Sequence, residues 1–106
     1  ELYSPKPAWL ALDQSGRRQF LEAIGSGMGA LSALGIEAIA WGETDAATLH
    51  APSQKFFAIW RASDAAAITA LVSGIAASGW HDYFDTINAT GAGVDLEGHL
   101  AQLAAL

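Results

Sequence analysis

Residues 55–61 read Lys55-Phe56-Phe57-Ala58-Ile59-Trp60-Arg61. Aromatic and β-branched side chains suit a pleated, half-buried surface, so this stretch predicts a strand, closed by Arg61. Side chains in a strand alternate between two faces. Phe56, Ala58 and Trp60 therefore take one face, and Phe57 and Ile59 the other. Both faces are apolar, and an open apolar sheet face has to be covered by something.

Outward from this strand the elements alternate. After it, Ser63 is a good N-cap with Asp64 in the first turn. Ile68, Leu71, Val72 and Ile75 then recur at helical spacing, and Gly79 ends the helix. Before it, residues 43–53 are polar and irregular, with Pro52 inside. Ile36 to Trp41 reads as a strand ending at Gly42. Upstream, Phe20, Ile24, Met28 and Leu31 form one face of a helix that starts near Gly16, with Asp13 or Ser15 as its cap. Gly35 stands where a left-handed C-terminal cap belongs.

The two ends complete the pattern. Glu1-Leu2-Tyr3 is strand-like and is broken by Ser4-Pro5-Lys6-Pro7, because proline removes backbone donors and fixes φ. Trp9, Leu10 and Leu12 follow in an apolar connection. His81 to Ile87 supplies the last strand, and Gly91 and Gly93 make a turn. Asp95 caps a short C-terminal helix with a stripe of Leu96, Leu100 and Leu103.

The order is βαββαβ, the split βαβ or ferredoxin-like arrangement. The expected architecture is one α+β domain over residues 1–106. A four-stranded antiparallel sheet carries its helices on one face, and a short C-terminal helix follows. The helices cover one sheet face, which leaves the other for a second copy of the chain. A homodimer through the sheet face is therefore expected, with a pocket on that open face.

Composition narrows the function. The chain has 106 residues, 52% hydrophobic and 15% charged, which is apolar for a small monomer and points to self-association. Its formal net charge is −6 with five Lys and Arg. Nucleic-acid binding needs clustered cations, and Arg17-Arg18 is the one adjacent pair, read here as a solvated face. Neither nucleic acid nor an anionic membrane surface is expected as a partner. Cys is absent, which excludes disulfides, thiolate metal sites and Cys nucleophiles. No apolar run reaches the ~18 residues of a membrane span. The chain opens at Glu1 without Met, so preceding sequence stays open. A cytoplasmic location is the working expectation.

Several segments carry a resemblance. They are Glu1-Leu2-Tyr3 with Pro5-Lys6-Pro7-Ala8-Trp9-Leu10, Ile39-Ala40-Trp41-Gly42, Phe56-Phe57-Ala58-Ile59-Trp60, and Gly79-Trp80-His81-Asp82-Tyr83-Phe84 with Asn88. Over nearly its whole length the chain resembles the dimeric α+β barrel superfamily of ferredoxin-like domains. More narrowly, it is similar to a group of small, mostly bacterial, uncharacterised proteins of that class. The wider superfamily includes cofactor-free monooxygenases, isomerases, haem-handling enzymes and ligand-binding regulators. The resemblance implies a fold and a dimer rather than a reaction.

Gly25-Ser26-Gly27-Met28-Gly29-Ala30 has the spacing of a dinucleotide loop, with Asp45 twenty positions after Gly25. That fingerprint needs a strand before it and a helix opening within it. Here a helix already runs through Ile24, so the glycines predict close helix packing. His50, His81 and His99 show no i, i+4 pairing, so no metal or cofactor is expected. No Gly-x-Ser-x-Gly elbow is present.

Four Trp suggest either a packed core and dimer interface or an aromatic pocket for a flat ligand. The candidate ligand-binding residues are Tyr3, Trp9, Glu37, Trp41, His50 and Trp60. Trp9 serves as a wall or lid, and His50 comes from the long loop. Strand alternation puts Trp41 on one face with Glu37 and Ile39. It likewise puts His81, Tyr83 and Asp85 together on the last strand, with His81 and Tyr83 as candidate catalytic groups. Glu1, Tyr3, Trp41, His81 and Tyr83 converge if these faces coincide. The functional expectation is a protein that binds, or converts without a cofactor, a small aromatic or apolar compound. The alternative is a non-catalytic dimerisation module.

Overall fold

The computed structural model describes residues 1–106 as an α+β protein with one four-stranded antiparallel sheet. In chain order the elements are β1 (Leu2–Pro5), α1 (Pro7–Leu10), α2 (Gln14–Met28), a 3-10 turn (Ser32–Leu34) and β2 (Ile36–Glu43). There follow β3 (Phe56–Ala62), α3 (Ala65–Ala77), α4 (Trp80–Tyr83), β4 (Phe84–Ile87) and α5 (Leu96–Ala104). The strand order is β2-β3-β1-β4, and all three pairings are antiparallel. The crossover from β1 to β2 therefore skips β3, and that from β3 to β4 skips β1.

Capping chemistry sets the helix starts. Asp13, Asp64 and Asp95 are the N-caps of α2, α3 and α5. Each accepts a bond from the backbone N–H three residues on, at 2.7, 2.8 and 2.7 Å. Such caps satisfy donors that the first turn leaves orphaned. Ser63 was expected to cap α3, but its neighbour Asp64 does so, and the Ser63 N–H instead donates to Gly35 O at 3.0 Å. The expected left-handed residue at Gly35 is observed with φ 77°, closing the 3-10 turn that follows α2. Gly35→Ala is expected to destabilise by about 1–2 kcal/mol, because a Cβ disfavours this backbone region; its methyl would also meet the Ser63 side chain. Urea unfolding measures the loss, and Gly35→Asn should recover part of it, since Asn tolerates that region.

Two sequence expectations about strands give way. The segment from His81 does not enter the sheet until Phe84. Gly79, at φ 85°, turns the chain into the single helical turn α4, with Asp82 N–H bonded to Gly79 O at 3.1 Å. His81 and Tyr83 therefore do not alternate with Asp85 on a strand. In β2 the register shifts between Ala38 and Ala40: Ala38 pairs with Trp60, Ala40 with Ile59 and Trp41 with Ala58. Ile39 is an extra residue, a β-bulge. Beyond it every side chain changes face, so Trp41 lies opposite Glu37 and joins Ala58.

Register then defines two faces. Tyr3, Phe56, Ala58, Trp60, Trp41, Phe84 and Thr86 share the inner face, toward the helices; Leu2, Phe57, Ile59, Asp85 and Ile87 share the outer one. The inner face builds two packed regions. At one end Ile36, Ala67 and Leu71 are buried, with Leu31, Trp60, Ala62 and Ile75 against them. At the other, Trp9 is buried rather than lying in a loose connection. It sits on α1, with its ring 4.8 Å from Phe84, 5.5 Å from Tyr83 and 5.7 Å from Phe20. Arg17, expected as a solvated residue, ties α2 to α1. Its guanidinium donates to Trp9 O and Leu10 O at 3.2 and 3.0 Å and lies 5.9 Å from the Trp9 ring centre.

Much apolar surface stays uncovered. Every residue of α5 except Gly98 is exposed, its Leu stripe included. On the outer face Ile59 is 50% and Ile87 56% exposed. The radius of gyration is 16.1 Å, against about 13 Å for a compact domain near this length. No helix is long and apolar enough to cross a membrane.

Candidate functional site: an aromatic cavity beneath the helices

A cavity of about 490 Å³ lies between α2, α3 and the inner sheet face. This is within the ~300–1,000 Å³ of small-molecule sites. The outer face was the expected location, and the bulge is one reason for the difference: it brings Trp41 inward. The sheet contributes Glu1, Tyr3, Trp41, Ala58 and Trp60, α4 contributes Trp80, and the helices give an aliphatic roof that includes Met28 and Leu71.

The aromatic walls are held by one another. Trp41 and Trp60 meet edge to face at 5.8 Å and 89°. Trp80 stacks on Phe84 at 4.1 Å and 20°, and Tyr3 stands edge-on to Trp80 at 5.2 Å. Such pairs each add about 0.5–1.5 kcal/mol beyond burial. The Trp80 indole N–H and Thr86 Oγ1 are buried without a partner. A buried polar group without a partner costs about 1–3 kcal/mol. Trp41 is 56% exposed and forms the rim.

Glu1 is the single charged residue of the lining. Its backbone extends the β1–β3 ladder: Glu1 nitrogen donates to Ala58 O at 2.8 Å and Ala58 N–H to Glu1 O at 3.0 Å. The side chain thus falls on the inner face, where its Oε2 accepts the Trp60 indole N–H at 2.8 Å. Burial pushes the Tyr3 hydroxyl above its ordinary value near 10, and the Glu1 carboxylate adds to the shift. Tyr3 is therefore a neutral phenol near pH 7, able to donate or accept a hydrogen bond.

Of the residues expected to bind ligand, Tyr3, Trp41 and Trp60 converge here, and Glu1 with them. The others do not line the cavity. Trp9 is enclosed in the aromatic cluster. Glu37 is exposed and pairs with Arg61 at 3.4 Å. His50 is exposed on the long loop at φ 59°. Tyr83 packs on Phe20 and Trp9, and the His81 carbonyl receives the Lys6 ammonium at 2.6 Å. Neither His81 nor Tyr83 faces the cavity, so they do not form a catalytic pair there. No group of three His, Asp or Glu could hold a metal ion.

Sequence reasoning missed Trp80 as a wall, and it missed the glycines as cavity formers. The expected close packing at Gly25, Gly27 and Gly29 is not observed. A Cβ at any of them, or at Gly74, would meet nothing within 4 Å, and Gly27 and Gly74 face the cavity. A signal existed in hindsight: α2 and α3 each place a glycine on the stripe side of a helix, where an interior glycine costs about 1 kcal/mol relative to Ala.

No curated protein and no solved structure matches the chain. One family model does match it, over residues 1–106, and by that full-length match the chain belongs to the family of unknown function DUF6616.

Proposed function

We propose that the protein binds a small, flat, largely apolar molecule in the cavity between helices and sheet, and does so as a homodimer of ferredoxin-like protomers. The observation that carries the binding reading is the convergence of Tyr3, Trp41, Trp60 and Trp80 on one 490 Å³ hollow with a single charged group. Aromatic walls with few polar groups are what small-molecule sites use to hold and orient a ligand. The lining offers a carboxylate and a neutral phenol but no His or Lys, which favours binding over acid–base catalysis.

The ferredoxin-like reading is supported by two interleaved split βαβ units, with β1 and β3 central. The dimer reading, in the manner of a dimeric α+β barrel, is supported by the exposed apolar residues of the outer face. A purely structural dimerisation module would share that outer face but would have no use for the inner hollow.

The test is a titration with small aromatic compounds, read by Trp fluorescence, since a ligand covering the half-exposed Trp41 shifts its emission. Gly74→Leu projects a side chain into the cavity from α3, where an added Cβ meets nothing within 4 Å. The variant is expected to weaken binding at least ten-fold while its Tm holds or rises, because Leu is the better helix former. Unchanged affinity in Gly74→Leu, or no saturable emission change with any compound, would refute the reading.

A further inference from the structure

The charges around the cavity restrict which ligand it can hold. Among its lining side chains there is no Lys, Arg or His, and the Glu1 carboxylate is the one charged group. Glu1 Oε2 is engaged by the Trp60 indole at 2.8 Å, and no protein donor engages Oε1. Beside that carboxylate, Trp41 and Trp60 stand at 89° with centres 5.8 Å apart, so their planes form a corner. Ring faces attract cations, most strongly those of Trp, and the attraction grows when water is excluded. A carboxylate with an unfilled acceptor beside two perpendicular indoles is the arrangement that recognises an organic ammonium group. A carboxylic acid ligand would instead bring a second negative charge into a hollow whose side chains offer no cation to meet it. The net charge of −6 acts in the same direction at longer range, raising the local concentration of cations.

We infer that the molecule held in this cavity is an amine: an apolar, ring-sized body carrying a protonated nitrogen that sits between the Glu1 carboxylate and the Trp41–Trp60 corner. The inference rests on the cavity being a binding site, as proposed above, and adds the class of ligand.

Three compounds of one shape separate the possibilities: 2-phenylethylamine, 2-phenylethanol and 3-phenylpropanoate, each titrated by calorimetry near pH 7 at low salt. The chain is extended by an initiator methionine, which makes the Glu1 nitrogen an uncharged amide. The amine is expected to bind at least ten-fold more tightly than the alcohol, with the acid weakest. Glu1→Gln keeps an acceptor for the Trp60 indole and removes the charge. It should weaken amine binding far more than alcohol binding and so remove most of the amine preference. Equal binding of acid and amine overturns the ligand class, and an amine preference that survives Glu1→Gln undiminished overturns the role given to Glu1, while the binding site stands in both cases. Glu1→Gln weakening alcohol and amine alike also overturns it, by showing that Glu1 acts through packing. If none of the three binds, the cavity reading falls and the inference with it.

Discussion

Phe84→Ala is expected to cost about 3–5 kcal/mol of folding stability, the range for removing a well-packed core aromatic. Phe84 is 5% exposed and opens β4 opposite Pro5. Its ring stacks on Trp80 at 4.1 Å, lies 4.8 Å from Trp9 and stands edge-on to Tyr3 at 5.8 Å. One side chain therefore joins α1, α4 and β1. The core is small: the buried residues are six in number, Trp9, Ile36, Ala58, Ala67, Leu71 and Phe84. Neighbours on three elements cannot all collapse into one void, which puts the cost toward the upper part of that range. Domains of this size are stable by about 5–15 kcal/mol, so the variant should be close to unfolding, with its Tm lowered by more than about 10 °C. Urea denaturation followed by far-ultraviolet circular dichroism measures the change. Phe84→Leu should lose less than half as much. A loss below about 1 kcal/mol for Phe84→Ala would mean that the aromatic cluster does not hold the sheet to its helices.

Ile59→Arg is expected to take the proposed dimer apart and leave the protomer folded. Ile59 is half exposed on the outer face with Leu2, Phe57 and Ile87, and its backbone lies within β3 between Ala58 and Trp60. In the protomer an arginine there meets water. In a two-fold interface the substitution occurs twice, and each guanidinium would lose its hydration against apolar side chains. A dissociation constant at least 100-fold larger is expected, about 3 kcal/mol, with near-native circular dichroism. Sedimentation velocity at micromolar concentration reads the result. A wild-type chain that sediments as a monomer, or an Ile59→Arg chain that remains a dimer, would remove the sheet-to-sheet assembly.

The element order was legible because it rests on strong local chemistry. The alternation in Phe56-Phe57-Ala58-Ile59-Trp60, the four-and-three stripe from Phe20 to Leu31, and the aspartates before α2 and α5 each act within a few residues. Gly35 was legible too, since a left-handed turn selects glycine whatever surrounds it. What escaped depended on an irregularity or on distant partners. Face assignment in β2 failed at Trp41, because period-two counting assumes a regular ladder and Ile39 interrupts it. The last strand was read too early, because Trp80, His81 and Tyr83 are aromatic enough for a strand. Gly79 and a single hydrogen-bonded turn decide otherwise. The site was half legible for the same reason. Alternation on the regular β3 grouped Trp60 with Phe56 and Ala58, but the face they share, with Tyr3, is the inner one and not the open one that was expected. His81 and Tyr83 were placed by strand alternation, which the α4 turn replaces, and Trp9 and Tyr83 are held by aromatic neighbours drawn from α1, α2 and β4.

The unpaired Ile39 gives β2 two reading frames. Before it the odd-numbered side chains take the outer face, and after it the even-numbered ones do. Removing Ile39 alone would close the bulge and keep every later pairing, Trp41 opposite Ala58 included, whereas a ladder that paired Ile39 in regular register would send Trp41 to the outer side.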